Sequence, residues 1–200
     1  MSFGVQKDKI DEKDEKLINY LVKHKHTSTL EHNIATFRIK VPLFVRSQHH
    51  RHRTWSYNEI SRRYTDYNIE FYSPRSFRTQ HKTNRQASNP EELINPSVYI
   101  NSWSGEAKAS ELYNEHCRES LDLFNNLIEV GVCKEQARGI LPQTMYTEYY
   151  ATANLNNILK FIDLRMHEGA QEEIQVLAKG ILEIISEIWP ITVSAYMSKN

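Results

Sequence analysis

The sequence predicts one domain of mixed α/β (α+β) architecture, residues 1–200, and three observations predict it. Two hundred residues with 40% hydrophobic content suffice for one core. Apolar residues recur at helical i, i+4 spacing in some segments and alternate strictly in others. No repeat or linker divides the chain, so both kinds of element belong to one body.

The elements follow in order. Leu17, Ile18, Leu21 and Val22 mark a first helix, with Asp11, Glu12 and Asp14 near its start. Phe37, Ile39 and Val41 alternate with Arg38 and Lys40, which predicts a strand with one wet face. Pro42 holds Val41 extended and suits a first helical turn, so 42 to about 50 reads as a short helix, although the alternation could carry the strand on to Val45. Residues 51–66 lack a period and read as loop. Tyr67, Ile69 and Phe71 alternate as a second strand, stopped by Ser73-Pro74. Residues 75–102 are polar and irregular, the composition of a surface excursion or binding loop. A long helix spans about 105–130 on a stripe from Leu112 to Ile128 and ends at Gly131. A short helix at 134–139, a Tyr- and Thr-rich strand over 144–153, and helices at 155–167 and 170–188 complete the chain, with Pro190 marking the end of the last.

The balance of 25 basic against 25 acidic residues argues against a polyanion binder held by bulk charge. No apolar run approaches a membrane span and the N-terminus lacks a signal-peptide core, so the cytoplasm is the expected compartment. Cys117 and Cys133 form no CxxC and read as reduced thiols. The nine histidines include no HExxH or other closed ligand set, so no metal is expected.

Charge is concentrated locally. Residues 46–63 hold five arginines, three histidines and one acid, Glu59. Guanidinium forks bind phosphate bidentately, and Ser, Asn and Glu at fixed places among them supply orienting hydrogen bonds. A solvated basic loop is the plainer alternative.

Arg51-His52-Arg53, Ser56, Asn58, Glu59, Ser61, Arg63 and Tyr64 match the RHR-x7-S signature of the flavin-dependent thymidylate synthases, in the fuller form RHRxxSxNExSxRY. The tract 26–45 resembles the segment before that signature. Ala137-Arg138, Leu141-Pro142, Tyr146-Thr147, Asn154, Phe161, Leu164-Arg165, Ala170-Gln171 and Glu173-Ile174 resemble the family's C-terminal half in order and spacing. The resemblance covers nearly the whole chain.

It implies an antiparallel twisted sheet flanked by helices, a homotetramer with active sites between subunits, and conversion of dUMP to dTMP. The carbon would come from methylenetetrahydrofolate and the reducing equivalents from NADPH through FAD. By resemblance, Arg51, His52 and Arg53 contact FAD, with Arg51 also near the nucleotide, and Glu59 lies between flavin and nucleotide. Ser28, Asn154, Asn156, Lys160 and Ser2 fall at flavin-contacting positions. Gln48, Ser61, Arg63 and Arg138 hold dUMP, helped by main-chain groups at Ile60 and Arg62. Arg165 matches the residue that stabilises negative charge at the uracil N3–carbonyl edge. Ser28-Thr29 stands where Thr-Pro is common, Asn156 and Lys160 replace a frequent Arg and Asn, and Gly169 replaces a frequent His.

Local readings stand beside these roles. Asn154 has the character of a helix N-cap, Arg138 could offset a helix dipole, and Arg165 could snorkel at a helix edge. No cysteine matches a catalytic position, so no covalent Cys–uracil adduct is expected. Rival functions are a flavin-dependent NADPH oxidase without methylation and a single-stranded nucleic-acid binder, the latter disfavoured by zero net charge. No nucleic-acid or membrane partner is expected.

Overall fold

The computed structural model describes residues 8–100 and 105–198. The expected flavin contact Ser2 lies outside the described residues. Helix α1 (Glu12–Lys23) opens on a reciprocal capping box between Asp11 and Asp14. Its apolar stripe is shallow: Val22 is buried but Leu17 is 55% exposed.

Strand β1 (Ile34–Pro42) runs into helix α2 (Leu43–His49), followed by a short strand β2 (Ser56–Glu59). Of the two readings of 42–45, the helix is found. Pro42 is the last strand residue and caps α2 from extended backbone, where its missing N–H costs nothing. Two hairpins follow, β3 (Phe77–Gln80) with β4 (Ser88–Ile94) and β5 (Ser97–Ile100) with β6 (Gly105–Lys108). Then come helix α3 (Ala109–Glu129), the single turn α4 (Lys134–Ala137) continued by a 3-10 turn to Ile140, and strand β7 (Tyr146–Asn154). Helices α5 (Leu155–Arg165), α6 (Glu172–Ile188) and α7 (Pro190–Met197) end the chain.

The main sheet is antiparallel in the order β1-β7-β2, so the C-terminal strand lies between two early ones. Its registers pair Phe37 with Ala151 and Tyr57 with the same Ala151. The alternation of β1 buries Phe37, Ile39 and Val41 against Leu155, Ile158, Phe161 and Ile162 of α5 and Ile174, Ala178, Ile181 and Ile185 of α6. A second cluster joins Phe124 of α3 to Ala137, Leu141 and Met145. Gly131 ends α3 with φ 95°, the left-handed conformation glycine adopts without Cβ strain.

Five expectations are corrected. Residues 67–71 do not form a strand; Asn68 at φ 53° breaks the extended run, and only Phe71 bridges to Met145. Residues 51–66 contain β2, whose alternation is carried by Ser, Tyr, Asn and Glu rather than by aliphatics. The polar excursion at 75–102 holds hairpin strands, invisible to hydrophobic period because β4 is mostly exposed on both faces. The long helix starts at Ala109 rather than near 105, because 105–108 are spent on β6. Helix α6 does end before Pro190 as expected, but it is not the last helix, because Pro190 sits at the first position of α7.

Candidate active site

The signature turn rests on an aromatic platform. His49, at the end of α2, is fully buried and its Nδ1 lies 2.8 Å from the Tyr149 hydroxyl. Its ring meets Trp55, Tyr57 and Phe161 at 4.7, 5.3 and 4.8 Å between centroids. The Tyr57 hydroxyl donates to the carbonyls of His49 and His52 at 2.9 and 3.0 Å, tying down the turn that carries Arg51, His52 and Arg53. Burial, with His52 beside it, pushes the His49 pKa down to about 3.

His52 faces α5. Arg165 Nε donates to His52 Nε2 at 3.0 Å, and Arg165 Nη2 donates to the Gln48 carbonyl at 3.2 Å. The His52 nitrogen that accepts must be unprotonated, which assigns the remaining ring proton to Nδ1. Burial and the Arg165 charge lower the His52 pKa to about 4, consistent with a neutral acceptor. Two of the arginine's nitrogens are thereby fixed, and Nη1 has no hydrogen-bond partner among the described residues.

Arg51 and Arg53 are exposed and have no ion-pair partner among the described residues. Asn154 caps α5 through Asn157 N at 3.0 Å, so its local reading is borne out. Asn156 is buried at 7% exposure and donates to Glu31 at 3.4 Å, linking α5 to the turn that holds Ser28. Lys160 is exposed one turn further along α5.

A second group lies beyond the other end of β2. Arg63 pairs with Glu135 at 2.9 Å and Lys134 with Asp66 at 2.7 Å, so the loop after β2 docks on α4, and Arg138 follows directly. Ser61 Oγ accepts from Arg63 N at 3.3 Å. At the two expected main-chain positions, the Ile60 N–H is committed to the Glu148 carbonyl, whereas the Arg62 N–H is uncommitted among the described residues. The Arg62 guanidinium closes its own loop on the Tyr67 and Asn68 carbonyls. Glu59 is held bidentately by Arg46 and by Thr147 Oγ1 at 2.7 Å.

Gln48 therefore belongs with His52 and Arg165, while Ser61 and Arg63 follow the other end of β2, with Arg63 tied to the α4 turn that precedes Arg138. A hollow of about 630 Å³ over β7 and β2 is lined by Glu59, Ile60 and Arg62. A more apolar groove of about 840 Å³ between β1 and α6 is lined by none of the predicted ligands. Cys117 is buried beside Thr144, and exposed Cys133 lies by Gln136; neither touches the histidine–arginine cluster. Arg46, Tyr57, Tyr149 and Thr147 were missed as site-building residues. The only sequence signal for the tyrosines was their alternation, which says which face they occupy but not that they carry a turn.

The Thy1 family, thymidylate synthase complementing protein, matches residues 2–191. The chain belongs to that family. This Thy1 protein is 38% identical over 187 residues to the flavin-dependent thymidylate synthase of Kosmotoga olearia, an alignment covering 94% of this chain and 77% of that one. It is 39% identical over 183 residues to the flavin-dependent thymidylate synthase of Thermus thermophilus, covering 92% of this chain but 63% of the relative. The crystal structure of a UMP/dUMP methylase, PolB, from Streptomyces cacaoi bound with 5-Br UMP superposes with a TM-score of 0.77 at 28% identity, covering 96% of this Thy1 chain and 84% of the other. No helix among the described residues is long and apolar enough to cross a membrane.

Proposed function

We propose that this Thy1 protein reductively methylates dUMP to dTMP, with methylenetetrahydrofolate as carbon donor and NADPH as reductant through FAD, as a cytoplasmic homotetramer. The observation that carries the reading is the Arg165–His52–Gln48 cluster, in which a neutral histidine and a main-chain carbonyl aim one guanidinium at the turn that also carries Arg51 and Arg53, neither ion-paired among the described residues.

The residues suit a flavin dinucleotide. Arg51 and Arg53, not ion-paired among the described residues, offer planar forks to its phosphates. Ser28, Asn154 and Asn156 lie at the N-terminal end of α5, where the helix favours anions, and Lys160 adds a cation one turn further along. When bound, FAD supplies the two-electron reduction that the transferred one-carbon unit needs to become a methyl group. The chain's own part is orientation and field. Arg165 Nη1 stabilises negative charge on a uracil carbonyl as carbon 5 becomes nucleophilic. Arg63, Arg138 and the Ser61 hydroxyl take the nucleotide phosphate, with Arg62 N–H, while Gln48, Glu59 and Ile60 bound the rest of the nucleotide.

The placement of these two groups at opposite ends of β2 supports sites shared between copies. Purified protein is expected to be yellow and to form dTMP only when folate and NADPH are both supplied. Arg165→Ala is expected to lower product formation roughly 10²- to 10³-fold with the fold retained. Peroxide without dTMP in the unaltered protein would indicate the oxidase instead.

A further inference from the structure

We propose that Glu173 and Gln171 are positioning residues that decide which end of the Gln48 amide faces the nucleotide; the inference rests on Gln48 being a nucleotide ligand. A row of hydrogen bonds leads from the hairpin β3-β4 to Gln48. Arg78 Nη2 and the Tyr72 hydroxyl both donate to Glu173 Oε1, at 2.7 and 3.1 Å. Gln171 Nε2 donates to Glu173 Oε2 at 2.8 Å. Gln48 Nε2 in turn donates to Gln171 Oε1.

The polarity of this row is dictated from one end. An ionised carboxylate only accepts, so Gln171 must turn its NH2 toward Glu173 and its carbonyl toward Gln48. Gln48 must then turn its own NH2 inward, and its carbonyl oxygen is left as the outward group. Burial opposes the charge on Glu173, but the hydrogen bonds from Arg78 and Gln171 outweigh it and hold the carboxyl below its usual range, so it remains ionised. Arg78 is itself fixed by Glu172 at 2.8 Å and by Ser88 Oγ at 3.0 Å. The side chains at 172 and 78 thus anchor the far end whatever happens at Gln48.

An outward carbonyl recognises a donor. On a pyrimidine nucleoside monophosphate the donors are the imide N3–H and the sugar hydroxyls, whereas the dianionic phosphate has none. Gln48 therefore reads the nucleoside rather than the phosphate, which falls to Arg63 and Arg138.

The substitution Glu173→Gln tests this with almost no change of shape. The residue 173 oxygen stays with Arg78 and Tyr72, both donors, so the new NH2 faces Gln171. Both downstream amides then reverse, and Gln48 presents a donor to a donor. The KM for dUMP is expected to rise about tenfold, the equivalent of one hydrogen bond, with kcat within about twofold and flavin content unchanged. Adding Gln48→Glu to that variant restores an outward acceptor, because the introduced carboxylate accepts from the reversed Gln171 with one oxygen and faces outward with the other. The double variant should bring KM back to within about threefold of the unaltered enzyme. An unchanged KM in E173Q, or no recovery in the double variant, overturns the relay. An unaltered protein that makes no dTMP overturns the proposed function instead. In that case calorimetric titration with dUMP, run on the same three proteins, still reports the loss and recovery of affinity.

Discussion

The sheet-and-helix unit β1-β7-β2 with α5 and α6 differs from the hairpin region 77–108 in what holds it together. In the first, Phe161, Ile158, Ile162, Ile174 and Ile185 are fully buried, and the signature turn is laid over Phe161. In the second, the β4 residues Leu93 and Ile94 are 58% and 41% exposed, and attachment to the rest runs through polar contacts such as Arg78 with Glu172 and Glu173. Apolar burial thus fixes the scaffold under the signature turn, while hydrogen bonding connects the periphery to it.

Breaking the buried side should cost most. Phe161→Ala is expected to lower stability by about 3–5 kcal/mol, measured by denaturant unfolding, and to loosen His52 and Trp55, whose rings it supports. The next effect is on pH. His49 and His52 have pKa values lowered to about 3 and 4, below the ordinary 6.5, so the unfolded chain takes up protons that the native chain refuses. Stability should be fully present above pH 6.5 and fall as the pH drops from there toward 4. Melting temperatures recorded across that window check the sign, and a profile flat from pH 7 to 4.5 would contradict the buried neutral histidines. A smaller loss, about 1 kcal/mol, is expected for Asn154→Ala, which removes the α5 cap and leaves one helix N–H unpaired; thermal unfolding measures it. Least of all, Leu93→Ala in the exposed hairpin should change stability by no more than about 0.5 kcal/mol, which sharpens the contrast with Phe161.

The same contrast explains what could be read in the residues. The alternation of Phe37, Ile39 and Val41 and the stripe of Ile174, Ile181 and Ile185 betray β1 and α6 because one face is dry and one is wet. Strand β4, Ser88–Ile94, has no dry face, so its period carries no signal, and it is held to β3 by the main-chain ladder and by polar side-chain contacts such as Arg78 with Ser88 and Thr79 with Glu92. At the site, the basic and polar composition of 48–63 marks the chemistry but not its grouping. Arg63 and Arg138 are joined through α4, and His52 and Arg165 are joined across 113 positions, by tertiary packing that no local spacing encodes. The row from Arg78 to Gln48 is likewise legible only in space, since its first and last members lie in different elements and its middle members belong to α6 and the residue before it.

One phenol has a thermodynamic consequence for every ligand of this turn. By gripping two carbonyls three residues apart, Tyr57 settles the shape of 49–52 during folding. The conformational entropy of that stretch is spent before any ligand arrives, so an incoming cofactor keeps for affinity the free energy it would otherwise use to order the chain.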